Sequence, residues 1–322
     1  MHEKIVYLNG SFVPESEAKV SVLDMGFHAG DGVYDVTRTF RHKPFKLTEH
    51  NDRLYRSLKY TRIDCGLSQD EMEAACLEVL ERNRDLLGPD DDYSIWQVVS
   101  RGARSSSGPR ANTDATVAIY CMDVDFTGFC RHYVEGVTII VPATRRIPPQ
   151  CLESKAKITN KMNHIIATFE ARQADPKAIP LMLDLDGNIA ESNAHNFFAV
   201  IDGKVYTPGS KNVLGGITRA VLGELAGPLD LQVEEANLTP YDCLNAEEAF
   251  LTSTSPTIVP IKSINGVGFP YDAPGPVTVR LLKGWSNLVG VDIVAQAIDH
   301  MEGAEREELR AKWNEKQAAL GM

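Results

Sequence analysis

The sequence predicts an α+β protein of two domains, and three observations carry the prediction. The chain has 322 residues, and at roughly 150 residues per domain that length suggests two. Hydrophobic residues make up 43% and charged residues 24%, which is enough apolar side chain for a sizeable core and argues against wholesale disorder. Strand-like and helix-like patterns are interspersed in both halves, and the regularity loosens between Met122 and Tyr133, where the boundary is placed. The expected division is a small N-terminal domain over residues 1–125, a linker over 126–135, a large C-terminal domain over 136–292 and a helical tail over 293–322.

Each element rests on a local signal. Lys4 to Pro14 reads as a hairpin around the Asn9-Gly10 turn. Val33 to Phe40 alternates as a strand. Thr48 is expected to cap a helix through Asp52 to Tyr60, with Leu54 and Leu58 at helical spacing. Ser68 and Glu71 form a capping box for the next helix. Ile95 to Val99 and Ala115 to Cys121 read as strands, and the Ser/Gly/Arg-rich stretch Gly102 to Thr113 between them as a loop. In the second half, Val137 to Pro142, Leu181 to Leu185, Asn196 to Ile201, Lys204 to Thr207, Glu248 to Thr252 and Ile258 to Ile264 read as strands. Asp186-Gly187 and Asp202-Gly203 are hairpin turns. Helices are expected over Asn163 to Gln173, Ile217 to Leu225 and Val277 to Leu288, and the tail Ile293 to Leu320 reads as a single amphipathic helix, a solvated one.

Charge and cysteines bound the function. The net charge of −11 argues against a nucleic-acid protein, because phosphate-backbone binding needs a basic footprint; a small anion needs only one or two local arginines. No apolar run approaches the ~20 residues of a membrane span, and Met1 to Lys4 leads into a strand pattern without a signal-peptide core. The six cysteines are scattered with no C-x-x-C spacing, so neither a disulfide scaffold nor a zinc site is expected. No metal is expected at all. A reduced, cytoplasmic enzyme is the expectation.

Four blocks could carry chemistry. Leu214-Gly215-Gly216-Ile217-Thr218-Arg219 opens a helix; its glycines let backbone approach a ligand, and a helix start offers N–H groups and partial positive charge to a phosphate. An ordinary strand-to-helix turn has the same look. Leu251 to Thr257 is a hydroxyl run after a strand, able to donate to phosphate oxygens or simply a polar loop. Glu191 lies in Asp186 to Phe198, between two strand patterns. Lys155, Lys157 and Lys161 stand ahead of a helix; a lysine becomes a nucleophile only where burial or nearby cations lower its pKa, and spacing does not say which of the three would.

In this order the blocks resemble the class IV (fold-type IV) pyridoxal-phosphate aminotransferases, from about Tyr7 to about Leu288. Leu23 to Asp35 and Leu47 to Leu54 are similar to the D-amino-acid aminotransferase version, and Arg145-Arg146-Ile147-Pro148-Pro149 resembles the (R)-amine branch. The resemblance implies a two-domain fold with a β-barrel-like large domain, and pyridoxal 5′-phosphate held between the domains near the interface of a homodimer. It implies that Lys157 forms the Schiff base, since it precedes Glu170-Ala171 by thirteen residues as the family's lysine does. It implies that Glu191 faces the pyridine nitrogen, beginning a Glu-x-x-x-x-Asn motif that ends at Asn196. It implies that Arg53, the Gly216-Ile217-Thr218 backbone, Thr254 and Ser255 hold the phosphate, that Leu214 packs on the ring, and that Tyr34 and Thr254 line the substrate pocket. Arg110 stands in the context of a carboxylate-binding arginine, with Asn112 where a histidine is usual, and Arg104 reads as an exposed loop arginine or as an extra, switchable anion contact. Asn193 replaces the small residue usual two places after the glutamate.

The implied reaction is ping-pong transamination from a D-amino acid or (R)-amine to a keto acid. A branched-chain L-amino-acid aminotransferase is the first alternative, and a lyase of the aminodeoxychorismate type the second. The partners expected are a small amino donor and a keto-acid acceptor, with neither nucleic acid nor membrane.

Overall fold

The computed structural model describes residues 3–104 and 114–319. By its internal contacts the chain divides into two compact units, Met1–Val124 with Ala156–Lys161, and Asp125–Lys155 with Met162–Met322.

The first unit carries strands β1 (Ile5–Leu8) and β2 (Ser11–Pro14), a short helix α1 (Met25–Ala29), strands β3 (Gly32–Phe40) and β4 (Lys43–Pro44), helices α2 (Leu47–Thr61) and α3 (Gln69–Asn83), and strands β5 (Tyr93–Ser100) and β6 (Thr116–Asp123). The strands form one antiparallel sheet in the order β2-β1-β6-β5-β3-β4. Leu54, Leu58, Met72, Cys76, Val79, Ile95 and Ile119 build its apolar core between the helices and one sheet face. The capping box at Ser68 forms as the sequence indicates. Thr48 does not cap α2: the helix starts one residue earlier, at Leu47, from Lys46 in the left-handed region. The segment Ala156–Lys161 joins this unit through a bridge between Val33 and Ile158.

The second unit begins with helix α4 (Phe126–Glu135). Residues expected as a linker are therefore an amphipathic helix, capped by Asp125 and burying Phe126, Cys130, Tyr133 and Val134. There follow β7 (Val137–Ile140), α5 (Met162–Ala174), β8 (Ile179–Leu183), β9 (Ile189–Ser192), β10 (Asn196–Ile201), β11 (Lys204–Pro208), α6 (Ile217–Ala226), β12 (Val233–Ala236), α7 (Pro240–Leu244), β13 (Glu248–Ser253), β14 (Thr257–Ile264), β15 (Val267–Gly268), α8 (Pro276–Val289), α9 (Ile293–Asp299) and α10 (Gly303–Ala319). The sheet runs β12-β11-β10-β13-β14-β7-β8-β9, and β9 also pairs with β10. That last pairing closes β10, β13, β14, β7, β8 and β9 into a six-stranded barrel. The Asp186-Gly187 turn joins β8 to β9, a strand of four residues too short for the sequence pattern to show.

The tail is two helices, broken at His300–Glu302 before Gly303 in the left-handed region. It is not a solvated appendage. Leu309 is fully buried and Trp313 is 5% exposed, and α10 lies against α4 and α9. No helix among the described residues is long and apolar enough to cross a membrane.

Candidate active site

In the first unit, the sequence-predicted residues gather around the start of β3. Successive side chains on a strand alternate faces, so Asp35 faces α2 while Tyr34 faces the opposite side. Arg53 and His50 project from α2 one turn apart. Arg53 donates from Nε to Asp35 Oδ2 at 2.8 Å and from Nη2 to Asp35 Oδ1 at 2.7 Å. His50 Nδ1 lies 2.7 Å from Asp35 Oδ1, and all three side chains are buried. Burial alone would push the Asp35 carboxyl up, but the charge of Arg53 and the His50 contact outweigh it and hold that carboxyl well below the usual range. Burial pushes the His50 imidazole below its ordinary value; Asp35 opposes this in part, while Arg53 and Lys157 add to it. His50 is thus neutral at pH 7, and its Nδ1–H donates to Asp35.

On the other face, Lys157 Nζ stands 4.6 Å from the centre of the Tyr34 ring and Lys161 Nζ 5.8 Å from it. The Lys157 backbone is fixed on both sides: its N–H donates to Ser57 Oγ at 3.0 Å, and its carbonyl accepts from the Tyr34 N–H at 3.0 Å. Lys155 is exposed. Tyr34 stacks on Trp96 at 5.7 Å and 8°, and Trp96 on Tyr120 at 6.2 Å and 6°, so an aromatic floor runs across β3, β5 and β6. Arg104 is exposed, with its N–H on Leu23 O at 2.9 Å. Arg110 and Asn112 lie outside the described residues.

In the second unit, Glu191, Asn196 and Thr252 form a row across β9, β10 and β13, as successive register partners. Glu191 is buried. Its Oε1 accepts from Arg146 Nε at 2.9 Å, and its Oε2 accepts from the Leu214 N–H at 2.8 Å and from Asn196 Nδ2 at 3.5 Å. Asn196 also donates to Leu214 O at 3.0 Å. The turn ahead of α6 therefore sits against this end of the barrel. A Cβ on Gly216 would collide with Asn196 Oδ1, so close approach is why glycine stands there. Gly216 is the N-cap of α6 and no side chain caps that helix, and the Ile217 and Thr218 amides have no carbonyl within the helix to bind. Next to Thr252, Ser253 pairs with Thr257 across the three-residue turn that carries Thr254 and Ser255. The Thr252 and Thr257 hydroxyls are buried without a partner among the described residues. Asn193 turns away from Glu191: its side chain meets Ser192 Oγ at 3.0 Å and Thr168 Oγ1 at 3.3 Å on α5.

Within each unit, then, the expected residues converge, and three partners were missed. In the sequence Arg146 enters only as part of the Arg145–Pro149 segment; its carboxylate partner is 45 residues away, and nothing in spacing links them. Asp35 carried a usable signal, as an acidic residue on the same strand face as buried Val33 and Thr37. His50 had none. Each unit holds side chains of a chemistry that suits pyridoxal phosphate: in the first, an amine for the aldehyde and an arginine for the phosphate; in the second, a buried carboxylate for the ring nitrogen, with a helix start and hydroxyls for the phosphate.

A family model described as amino-transferase class IV matches residues 32–264. A putative branched-chain-amino-acid aminotransferase of Methanocaldococcus jannaschii is 34% identical over 285 residues, covering 88% of this chain and 96% of that protein. The D-alanine aminotransferase of Staphylococcus aureus (strain N315) is 27% identical over 288 residues, with 88% and 97% covered. Among solved structures, the branched-chain amino acid aminotransferase of Escherichia coli superposes with a TM-score of 0.82 at 27% identity, covering 89% of this chain and 95% of that one. A second branched-chain amino acid aminotransferase, complexed with N-(5′-phosphopyridoxyl)-L-glutamate, gives 0.80 at 29%, with 90% and 95% covered.

Proposed function

Because this chain belongs to the class IV aminotransferase family, we propose that it is a homodimeric transaminase moving the amino group of a D-amino acid or (R)-amine to a keto acid by a ping-pong mechanism. Membership makes it a pyridoxal-phosphate-dependent enzyme acting on amino and keto acids. The observation that carries the reading is Lys157: its backbone is fixed from two sides, and its amine lies 4.6 Å over the Tyr34 ring.

Bound pyridoxal phosphate supplies an electron sink that makes the donor's Cα–H acidic. The chain supplies the rest. Glu191 would present its carboxylate to the ring nitrogen, and Arg146 orients that carboxylate through its Nε. Lys157 would hold the cofactor through its amine, and the same amine, when free, would move a proton at the donor's Cα. Arg53, held by Asp35, would neutralise phosphate charge, and in the second unit the α6 start, Thr254 and Ser255 would donate to phosphate oxygens. Tyr34, backed by Trp96 and Tyr120, offers an aromatic surface to the donor substituent, which suits an aryl-substituted amine.

The rival within the fold is a branched-chain L-amino-acid aminotransferase, favoured by the names of the relatives reported above. A donor panel separates them: turnover with D-alanine or (R)-1-phenylethylamine is expected, whereas turnover with L-leucine and neither of those would overturn the D/(R) reading. Dependence on a keto-acid acceptor separates both from a lyase that releases pyruvate unaided. The lysine assignment predicts a visible absorbance that borohydride abolishes and that Lys157→Ala lacks; its persistence in Lys157→Ala would move the role to Lys161 or Lys155.

A further inference from the structure

We propose that Tyr133 is a positioning residue for the cofactor phosphate, holding the β13–β14 turn that presents Thr254 and Ser255, and that the C-terminal helix α10 holds Tyr133 in place. The proposal rests on the reading that these two hydroxyls bind the phosphate.

The turn needs outside support. Ser253 and Thr257 are register partners, so Thr254, Ser255 and Pro256 alone make the reversal. The residue after such a three-residue loop takes the left-handed conformation and is usually glycine. Here it is Thr257, at φ +59°, a β-branched residue for which that region is a genuine outlier. Such strain persists only where the surroundings over-determine it. Pro256 can contribute no N–H of its own. Its carbonyl instead accepts the Tyr133 hydroxyl at 2.8 Å, from a side chain only 1% exposed.

Tyr133 is in turn held by the tail. Helix α4 packs against β14 and against both tail helices, α9 and α10. Arg131 on α4 pairs with Glu305 at 2.7 Å, and Glu135 pairs with Lys312 at 2.7 Å. Phe126 stacks on His300 at 4.2 Å and 19°. The tail therefore anchors α4 at both ends and in the middle, and α4 delivers one hydroxyl to the turn. The sequence sets Tyr133 in the stretch expected as a linker, more than 120 residues from the turn it holds.

The test is equilibrium binding of pyridoxal phosphate and of pyridoxal, which lacks the phosphate, to cofactor-stripped full-length protein. For Tyr133→Phe we expect pyridoxal phosphate affinity to fall about tenfold, as for loss of one buried hydrogen bond, with pyridoxal affinity and the melting temperature of the stripped protein little changed. The double variant Arg131→Ala/Lys312→Ala, on the surface, is expected to lower the same phosphate preference roughly two- to threefold. An equal fall for both ligands means a general packing role and overturns the proposal, as does no fall for either. Thr254→Ala/Ser255→Ala is the control: if it leaves the phosphate preference intact, the reading of the cup fails; if it removes that preference while Tyr133→Phe does not, only the positioning role fails.

Discussion

Asp35 is where the first unit concentrates buried charge, and its removal is expected to be costly. In Asp35→Asn, the buried Arg53 guanidinium would lose the carboxylate it grips with two nitrogens, a loss on the order of 3–5 kcal/mol, read as a lower melting temperature and weaker cofactor retention. The same cluster sets a pH dependence. The folded pKa of His50 is below its ordinary value, so as pH falls below about 6.5 the unfolded chain takes up a proton that the folded one refuses. Stability contributed by neutral His50 is therefore complete above about 6.5 and declines on acidification. Asp35, also depressed in the fold, adds a second decline below about 4. In His50→Gln the decline of the melting temperature just below about pH 6.5 should become shallower, with the part due to half-buried His132 and the lower decline kept; an unchanged upper slope would put that titration elsewhere. At the other end of the chemistry, Arg146→Met should strand the Glu191 carboxylate, lowering kcat by about tenfold or more with little change in KM, and Arg146→Lys should recover part of the loss. The lesson of these residues is that side chains named by a motif were legible in the sequence. Those that merely hold them, such as Arg146 and Tyr133, emerge only through three-dimensional neighbours, while Asp35 left the one usable trace, an acidic side chain on a buried strand face.

Elements were legible in proportion to their length and periodicity. Long helices and alternating strands stood out, and the capping box at Ser68 announced its helix. The four-residue β9 carries no countable alternation, and α4 contains Gly128, Cys130 and His132, which dilute a helical pattern. Thr48 has the right chemistry for a cap, but Lys46 adopts the left-handed conformation and the helix has already begun. The tail misled because its apolar residues are few; the two that matter, Leu309 and Trp313, are a turn apart and both buried. Helix α5 raises the opposite question. Met162, Ile165, Ile166 and Phe169 lie on one face and are 43–64% exposed, a stripe that supports the proposed self-association. Phe169→Asp should shift sedimentation from dimer to monomer while each chain stays folded. A species that remains dimeric would place the interface elsewhere.

At the scale of the whole molecule, the bulk charge of −11 describes the surface and conceals a local concentration of cations: Arg53, Lys157 and Lys161 around β3 in an acidic chain. The division into units is less simple than a boundary between two halves. The partition falls at Val124/Asp125 and then returns six residues, Ala156–Lys161, to the first unit. No composition shift marks that excursion, because a backbone bridge to Val33 defines it.

The barrel closes on a seam with one register pair, Glu191 with Asn196, while each of its other junctions has two or more. Local opening takes the path of fewest bonds. Amide hydrogen–deuterium exchange should thus run faster at Ser192 and Asn196 than elsewhere in the ring. A ligand gripping Glu191 would act as a rivet at that seam, and filling the site should slow exchange there first.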